Sequence, residues 1–322
     1  MSQQAPAPLA VGDRVGPGEG TGTEPRARGR RWDRAAVADR LFLLPVGVVF
    51  VVLFLIPVIR SGWWSLTNYN GYTPDYDFVG LANYGRLFSD TAMVSGFVFT
   101  LLYTVATTLV VTCLAIPLAV VLNRKFIGRN FVRSAFFFPA IPSIAVLGLV
   151  WGFILSPLGS GVINRVIETF GGASVPWLST PGLARFSVIL VGVWSQVGWH
   201  AILYLAYLQA IPEELTEVAI IDGANGRQRF FHITLPMLAP AMTVSQLLLL
   251  TGGLKVYDLP VTLTGGGPGY STFTLTQAII QRGIAQSEFG QASALAVVFM
   301  LVIGLIVAAQ LAVARRLERR IQ

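Results

Sequence analysis

The chain has 322 residues, 54% of them hydrophobic and 12% charged, with a mean hydropathy of +0.65. Soluble globular domains carry about 25% charged residues, so an ordinary cytosolic domain is excluded, as is disorder over most of the chain. The formal charge of +7 would suggest nucleic acid in a soluble protein, but in a lipid-embedded one the placement of Lys and Arg matters more.

Residues 1–40 come first, rich in Pro, Gly, Ala and Arg and without an apolar run. They are expected to form a disordered basic cytoplasmic tail, the disorder read most directly over 1–32. The first apolar stretch starts too late for a signal peptide and has no small-residue cleavage pattern after it. An electrostatic anchor on anionic lipid at Arg26–Arg34 is the alternative.

A helix needs about 20 apolar residues to cross the hydrocarbon core. Uncharged runs of that kind lie between Arg40 and Arg60, Asp90 and Arg124, Arg133 and Arg165, and Arg185 and Glu213. A fifth runs from about Leu235 to Leu254, and a sixth lies between Glu288 and Arg315. Six transmembrane helices are therefore predicted. In the second, Thr104, Thr107 and Thr108 are expected to bond back to their own helix. The third has its apolar part ending near Ser156-Pro157.

Most of the 23 Lys and Arg residues fall in four segments: the N-terminal tail, the 123–134 loop, the 209–236 loop and the C-terminal tail. Arg60, Arg86, Arg165, Arg185, Lys255 and Arg282 lie outside them. The positive-inside rule then puts both termini in the cytoplasm.

The 61–92 connection is external and holds Trp63, Trp64, Tyr69, Tyr72, Tyr76 and Tyr84. These rings suit either the bilayer interface or a surface for an external partner. The 156–185 loop is rich in Gly and Pro and is expected to be irregular, with one short helix around Val162–Phe170. In the fourth span, Gln196, Trp199 and His200 fall within one helical turn. With Gln246 of the fifth span, they are candidates for a polar solute pathway; helix–helix contact is the alternative. Lys255 and Asp258 are spaced to neutralise each other.

The 209–236 loop is the most informative. Pro212 marks a helix start, Glu213 and Glu214 complement the first turn, and Gly223 supplies a positive φ to end it. A second short helix, about Arg227 to Ile233, is expected to stop before Pro236. Such an elbow displays Glu213 and Glu217 on one face, with Ile220 and Ile221 near them. That combination fits docking into a groove of a soluble protein; lying on lipid headgroups is the alternative. Later, Thr264-Gly-Gly-Gly-Pro-Gly-Tyr270 cannot be helical. The Thr272–Ile284 segment after it either dips back toward the membrane or makes a plain external turn.

No catalytic chemistry is apparent. Cys113 is the one cysteine, and His200 and His232 are the two histidines, so no metal site is expected. Lys125 and Lys255 are followed by Phe126 and Val256, so neither belongs to a phosphate-binding loop.

The 211–236 stretch resembles the cytoplasmic signature of permease subunits in binding-protein-dependent ABC importers. That signature runs Glu-Ala-Ala, three residues, Gly, nine residues, Ile, one residue, Leu-Pro. Here Glu217-Val218-Ala219, Gly223, Ile233 and Leu235-Pro236 fit every spacing, with Val218 where the family usually has Ala. Ile211–Leu215, Ile221–Ala224, Gln228–Phe230, Leu263–Pro268 and Gly290–Ala294 resemble the carbohydrate-uptake branch, joined by Asn83-Tyr84 and Phe136–Pro139.

The resemblance implies an all-α integral membrane fold, a MetI-like bundle of six transmembrane helices over 41–315, with a coupling-helix loop at 209–236 and a basic cytoplasmic tail at 316–322. It implies the permease subunit of an ATP-driven sugar importer in a bacterial cytoplasmic membrane. Expected partners are a second, different permease, two ATP-binding subunits and an extracytoplasmic sugar-binding protein. Glu213, Glu217, Ala219, Asp222 and Gly223 would couple to the ATPase; Gly265, Gly266, Gly267 and Pro268 would meet the binding protein. The chain itself would bind no cofactor, ATP and Mg being used by the partner ATPase. Two other classes compete: an ion-coupled secondary transporter, which would use intramembrane acids, and an integral-membrane enzyme, which would need a catalytic cluster.

Overall fold

The computed structural model describes residues 34–157 and 161–318, with side chains described over 42–157 and 161–316. The tail expected over 1–32 and the end of the C-terminal tail lie outside the described residues. The chain divides into two compact units, Met1–Leu55 and Ile56–Gln322. In the first, α1 (Arg34–Phe50) runs into a π-helical turn at Val51–Leu55, and Phe50 stacks on Phe54 at 5.8 Å. Arg34 is thus already helical, inside the segment read as tail. The sequence from Arg34 to Leu41 has no Gly or Pro to oppose it.

In the second unit, α2 (Ile56–Trp64) and α3 (Ala82–Ser89) flank a loop closed by an isolated antiparallel bridge, Thr67 to Phe78. Buried Asn83 holds that loop, its Nδ2 donating to the Ser65 and Thr67 carbonyls at 2.9 and 2.8 Å. The aromatics of this loop pack largely on one another: Tyr69 meets Trp64 at 4.9 Å and Tyr76 at 5.2 Å.

Helix α4 (Thr91–Asn123) is the axis of this unit. Asp90 caps it, Oδ1 accepting from the Ala92 and Met93 amides. Three hydrophobic clusters form along its length: one with α8 (Pro181–Leu208) and α12 (Ala239–Leu254), one joining Leu87 of α3 and Leu254 to Phe273, Leu295 and Phe299, and one joining Val188 and Val191 of α8 to Leu155, Leu259 and Leu263. Small residues let these helices approach closely. A Cβ on Gly253 would lie 3.0 Å from Thr104 Cα, and one on Gly198 would collide with the Phe136 carbonyl. Thr104 and Thr107 bond back to the Thr100 and Tyr103 carbonyls at 2.6 and 2.7 Å, as expected. Thr108 departs: its hydroxyl is buried without a partner.

The third predicted span is not one straight helix. α5 (Arg129–Phe137), a 3-10 turn at Phe138–Ala140 and α6 (Ile144–Ile154) meet at 94°. Pro139 and Pro142 remove two amides from the helical ladder, and the chain leaves the helical region at Ser143, with ψ +137°, before α6 starts. α7 (Val162–Thr169) lies where the short helix was expected. Buried Asn164 organises the loop around it, bonding the Ser156 and Val175 carbonyls, the Val175 amide and Trp177 Nε1.

After α9 (Glu213–Ile221), α10 (Gly226–Arg229) passes through a π turn at Phe230–Thr234 into α11 (Leu235–Met237). The expected stop before Pro236 therefore does not occur. The turn widens so that the Leu235 amide reaches the Phe230 carbonyl, which accommodates the proline ring. The break comes later, a 64° bend between Met237 and Ala239. α13 (Asp258–Thr264), α14 (Leu275–Ile280) with a π turn at Gln281–Ala285, and α15 (Phe289–Glu318) complete the unit.

Among the described residues, four helices are long and apolar enough to cross a membrane: Phe42–Trp64, Thr91–Asn123, Pro181–Leu208 and Phe289–Arg316. Counting each bent pair as one span raises the number to six. Leu102, Val105 and Leu109 on α4 face outward while the helix's other side is also apolar, the pattern of a helix with lipid on one side.

Candidate functional site

Three regions hold the residues singled out above. The first is the elbow after α8. Pro212 takes the N-cap position of α9, and Glu213 and Glu214 fall in its first turn. The helix ends in a Schellman motif. The Ala224 amide reaches back to the Ala219 carbonyl at 2.8 Å and the Gly223 amide to Ile220 at 3.0 Å, with Gly223 at φ +79°. Ala219 and Gly223 are thus two ends of one capping device. Asn225 opens the next helix in a reciprocal capping box with Gln228, at 2.8 and 2.9 Å. The Asn-x-x-Gln spacing carried that signal and places the start at Gly226 rather than Arg227.

Between these caps, α9 keeps its apolar side chains out of the core. Leu215 is 43% exposed, Val218 56%, Ile220 54% and Ile221 84%. Glu213, Glu217 and Asp222 are exposed as well, while Ala219 is half-buried. A cavity of about 450 Å³ lies under the helix, lined in part by Asn123, Gln209, Glu213, Glu217 and Thr234. Arg133 steadies the neighbouring end of α4, donating from Nη2 to the Leu122 carbonyl at 2.9 Å.

The second region is the glycine-rich turn. Gly265, Gly266 and Gly269 hold positive φ, and the Gly267–Pro268 peptide is cis. Thr272 Oγ1 bonds the Gly267 carbonyl at 2.9 Å and Thr264 Oγ1 at 2.7 Å. Gln277 Nε2 donates to the Gly265 carbonyl at 3.1 Å. The following segment does dip into the protein. Residues 271–275 are buried, and the Leu275 amide donates to Thr100 Oγ1 of α4 at 2.9 Å.

The third region is the bundle interior, where the four pathway candidates do not share one face. His200 is buried and its Nδ1 meets Ser245 Oγ at 2.8 Å. Gln196 and Trp199 are exposed on the outer side of α8, and Gln246 is half-buried on α12. Only the Trp199 ring touches His200, edge to face at 4.8 Å. Lys255 and Asp258 form no ion pair, because α12 ends at Leu254 and Asp258 opens another helix.

An ion cluster escaped the sequence reading. Arg282 binds Asp90 and also Glu288, the latter at 2.7 Å, tying the start of α4 to the approach to α15. Both acids had served as span limits, but nothing local connects them to Arg282. Among the described residues, no group of three His, Cys, Asp or Glu side chains is placed to hold a metal.

Comparison with known proteins agrees with this architecture. The family model for binding-protein-dependent transport system inner membrane components matches residues 111–322. The probable starch degradation products transport system permease protein AmyD of Thermoanaerobacterium thermosulfurigenes is 32% identical over 279 residues, 86% of this chain and 94% of that protein. The multiple sugar-binding transport system permease protein MsmF of Streptococcus mutans is 34% identical over 281 residues, 86% of this chain and 95% of that one. Among solved structures, a bacterial ABC transporter involved in the import of the acidic polysaccharide alginate superposes with a TM-score of 0.78 at 25% identity, covering 89% of this chain and 99% of that chain. The chain is a multi-pass membrane protein and belongs to the family of binding-protein-dependent transport system inner membrane components, the permease subunits of ABC importers.

Proposed function

We propose that this chain is one permease subunit of an ATP-driven sugar importer, with both termini cytoplasmic, paired with a second permease and driven by a separate ATPase that seats on α9. The observation that carries the reading is the unpartnered α9. Four apolar side chains and three acids stand in solvent on a short helix capped at both ends, a shape that helix-in-groove recognition requires. Family membership and the sugar-transport relatives support the substrate class.

In this reading α9 is a lever. Closure of the ATPase moves the seated helix, and the rigid caps at Gly223 and Asn225 pass the displacement to the bent fifth span. Glu213, Glu217 and Asp222 present negative charge to cations on the ATPase, while Ala219 and Gly223 fix the angle of the elbow. Gln196 and Trp199, on the exposed side of α8, and half-buried Gln246 face the pathway formed with the second permease. His200 is a packing residue that supports them through Ser245. The Gly265–Pro268 turn lies on the opposite, external face and receives the sugar-binding protein. ATP and Mg act in the partner. No specific observation favours the ion-coupled alternative: Thr91–Asn123, Pro181–Leu208 and Ala239–Leu254 contain no Asp or Glu.

The test is affinity purification of the tagged full-length chain in detergent, with mass spectrometry of what accompanies it. A second permease and a P-loop ATPase are expected, the ATPase alone being lost on Glu217→Lys. Recovery of a homo-oligomer that transports in ATP-free liposomes overturns the reading.

A further inference from the structure

A cavity of about 520 Å³ opens beside the glycine-rich turn, within the roughly 300–1,000 Å³ of small-molecule clefts. Tyr257, Tyr270, Phe273, Gln277 and Gln281 form much of its wall. That wall is braced. Gln277 is held to the Gly265 carbonyl, and Phe273 is buried edge to face against Tyr270 at 5.3 Å. Tyr270 itself sits at φ +64°, a conformation that disfavours any residue with a Cβ, and its ring is nevertheless 45% exposed. Strain of this kind persists where the surroundings over-determine it, and it places the ring over the opening.

The polar ends of this wall are unused. The hydroxyls of Tyr257 and Tyr270 and the amide of Gln281 make no hydrogen bond among the described residues. A second cavity, about 310 Å³, shares Tyr270, Phe273 and Gln281 with the first and extends to Arg282. Arg282 is the one cation lining either cavity, and Asp90 and Glu288 already neutralise it. Aromatic faces beside free hydroxyl and amide groups match the two aspects of a sugar, apolar C–H faces and hydroxyl edges. The absence of an unpaired cation gives an anionic sugar no advantage.

We propose that this double cavity is a vestibule that binds a neutral oligosaccharide directly, separate from the Gln196, Trp199 and Gln246 surface. The proposal rests on the reading of this face as the one that receives the binding protein. Tyr270 and Tyr257 contact sugar rings, and Gln281 hydrogen-bonds hydroxyls across the junction of the two cavities. The sugar occupies the vestibule after leaving the binding protein and before entering the bundle.

The experiment titrates the full-length chain, purified with its accompanying subunits, with maltotriose, arabinotriose and trigalacturonate in the absence of binding protein, followed by calorimetry. Capture of the immobilised binding protein is measured on the same samples. Saturable binding of at least one neutral trisaccharide is expected, with trigalacturonate weaker. Gln281→Ala and Tyr270→Ala should each weaken it by about threefold to tenfold, and Tyr270→Phe by less, while capture of the binding protein is retained. Thermal unfolding of each variant shows that it is folded. If the wild-type complex captures the binding protein but binds no free trisaccharide, the vestibule is overturned and the docking reading stands. Unchanged sugar affinity in both alanine variants, or loss of binding-protein capture alone, also overturns it. A complex that binds the trisaccharide but captures no binding protein retains the cavity as a sugar site and removes the docking reading on which its place in transport rests.

Discussion

Gly223 and Gly266 hold nearly the same backbone conformation, φ +79° and +89°, in very different surroundings. Around Gly223 a Cβ would meet nothing within 4 Å. Around Gly266 it would lie 2.8 Å from Gln277 Oε1 and 2.9 Å from the Phe273 ring. The first glycine turns an exposed helix whose apolar residues face outward; the second turns a loop sewn to its neighbours by Thr264, Thr272 and Gln277. A positive φ therefore serves a free lever in one place and a fixed wall in the other. Substitution should separate the two roles into function and stability.

The largest effects are expected from the glycines themselves. Gly223→Val should abolish coupled uptake in proteoliposomes, since a β-branched residue fits the left-handed region poorly and the elbow must open. Its unfolding temperature should fall by much less than that of Gly266→Ala, because the exposed turn takes the left-handed strain with no steric conflict added. Gly266→Ala should do the reverse, destabilising the fold by about 2–3 kcal/mol through backbone strain plus steric conflict. Tryptophan fluorescence on heating in detergent reads both. Equal losses of stability in the two variants would erase the distinction drawn here.

Arg282 sharpens the comparison on the side of the wall. Arg282→Met leaves Asp90 and Glu288 facing each other without a counter-charge. The side chains of Arg282 and Asp90 are each 22% exposed, so solvent screens part of the loss, and about 1–2 kcal/mol is expected. Thr272→Val keeps the shape but removes bonds to Gly267 and Thr264, at about 1–2 kcal/mol. Neither should alter ATPase association in the purified complex, and a loss of the ATPase from either would mean that the wall and the lever are mechanically one.

What was legible in the sequence follows the same division between local and distant. Helix ends were legible where one residue makes them: Asp90 caps α4, and Gly223 ends α9. The elbow was readable because its caps and its carboxylates lie within a few residues of each other. The bends were not, because Pro139 and Pro142 signal an interruption but not which way the chain continues, and helix runs past Pro236 before it bends. The Arg282–Asp90 contact joins positions 192 residues apart, beyond any pattern in the chain. The interior candidates part company for a related reason. Periodicity puts Gln196, Trp199 and His200 within one turn, but only packing decides that His200 turns inward to Ser245 while the other two stay exposed.

The smallest effect on the fold, and the sharpest on the lever, is expected at Ile221. Its side chain is 84% exposed and lies next to the capping residues without taking part in them. Ile221→Ser removes apolar surface that the isolated chain does not bury, so the unfolding temperature should not move. If α9 seats in a groove, that surface is buried only in the complex, and its loss should weaken ATPase retention by roughly tenfold. Washing immobilised wild-type and variant complexes in parallel and following the ATPase that elutes measures this directly. Equal retention would mean that α9 engages its partner through its carboxylates alone. The apolar residues would then have no role in coupling, and the reason for carrying them in solvent would have to be sought at the lipid surface instead.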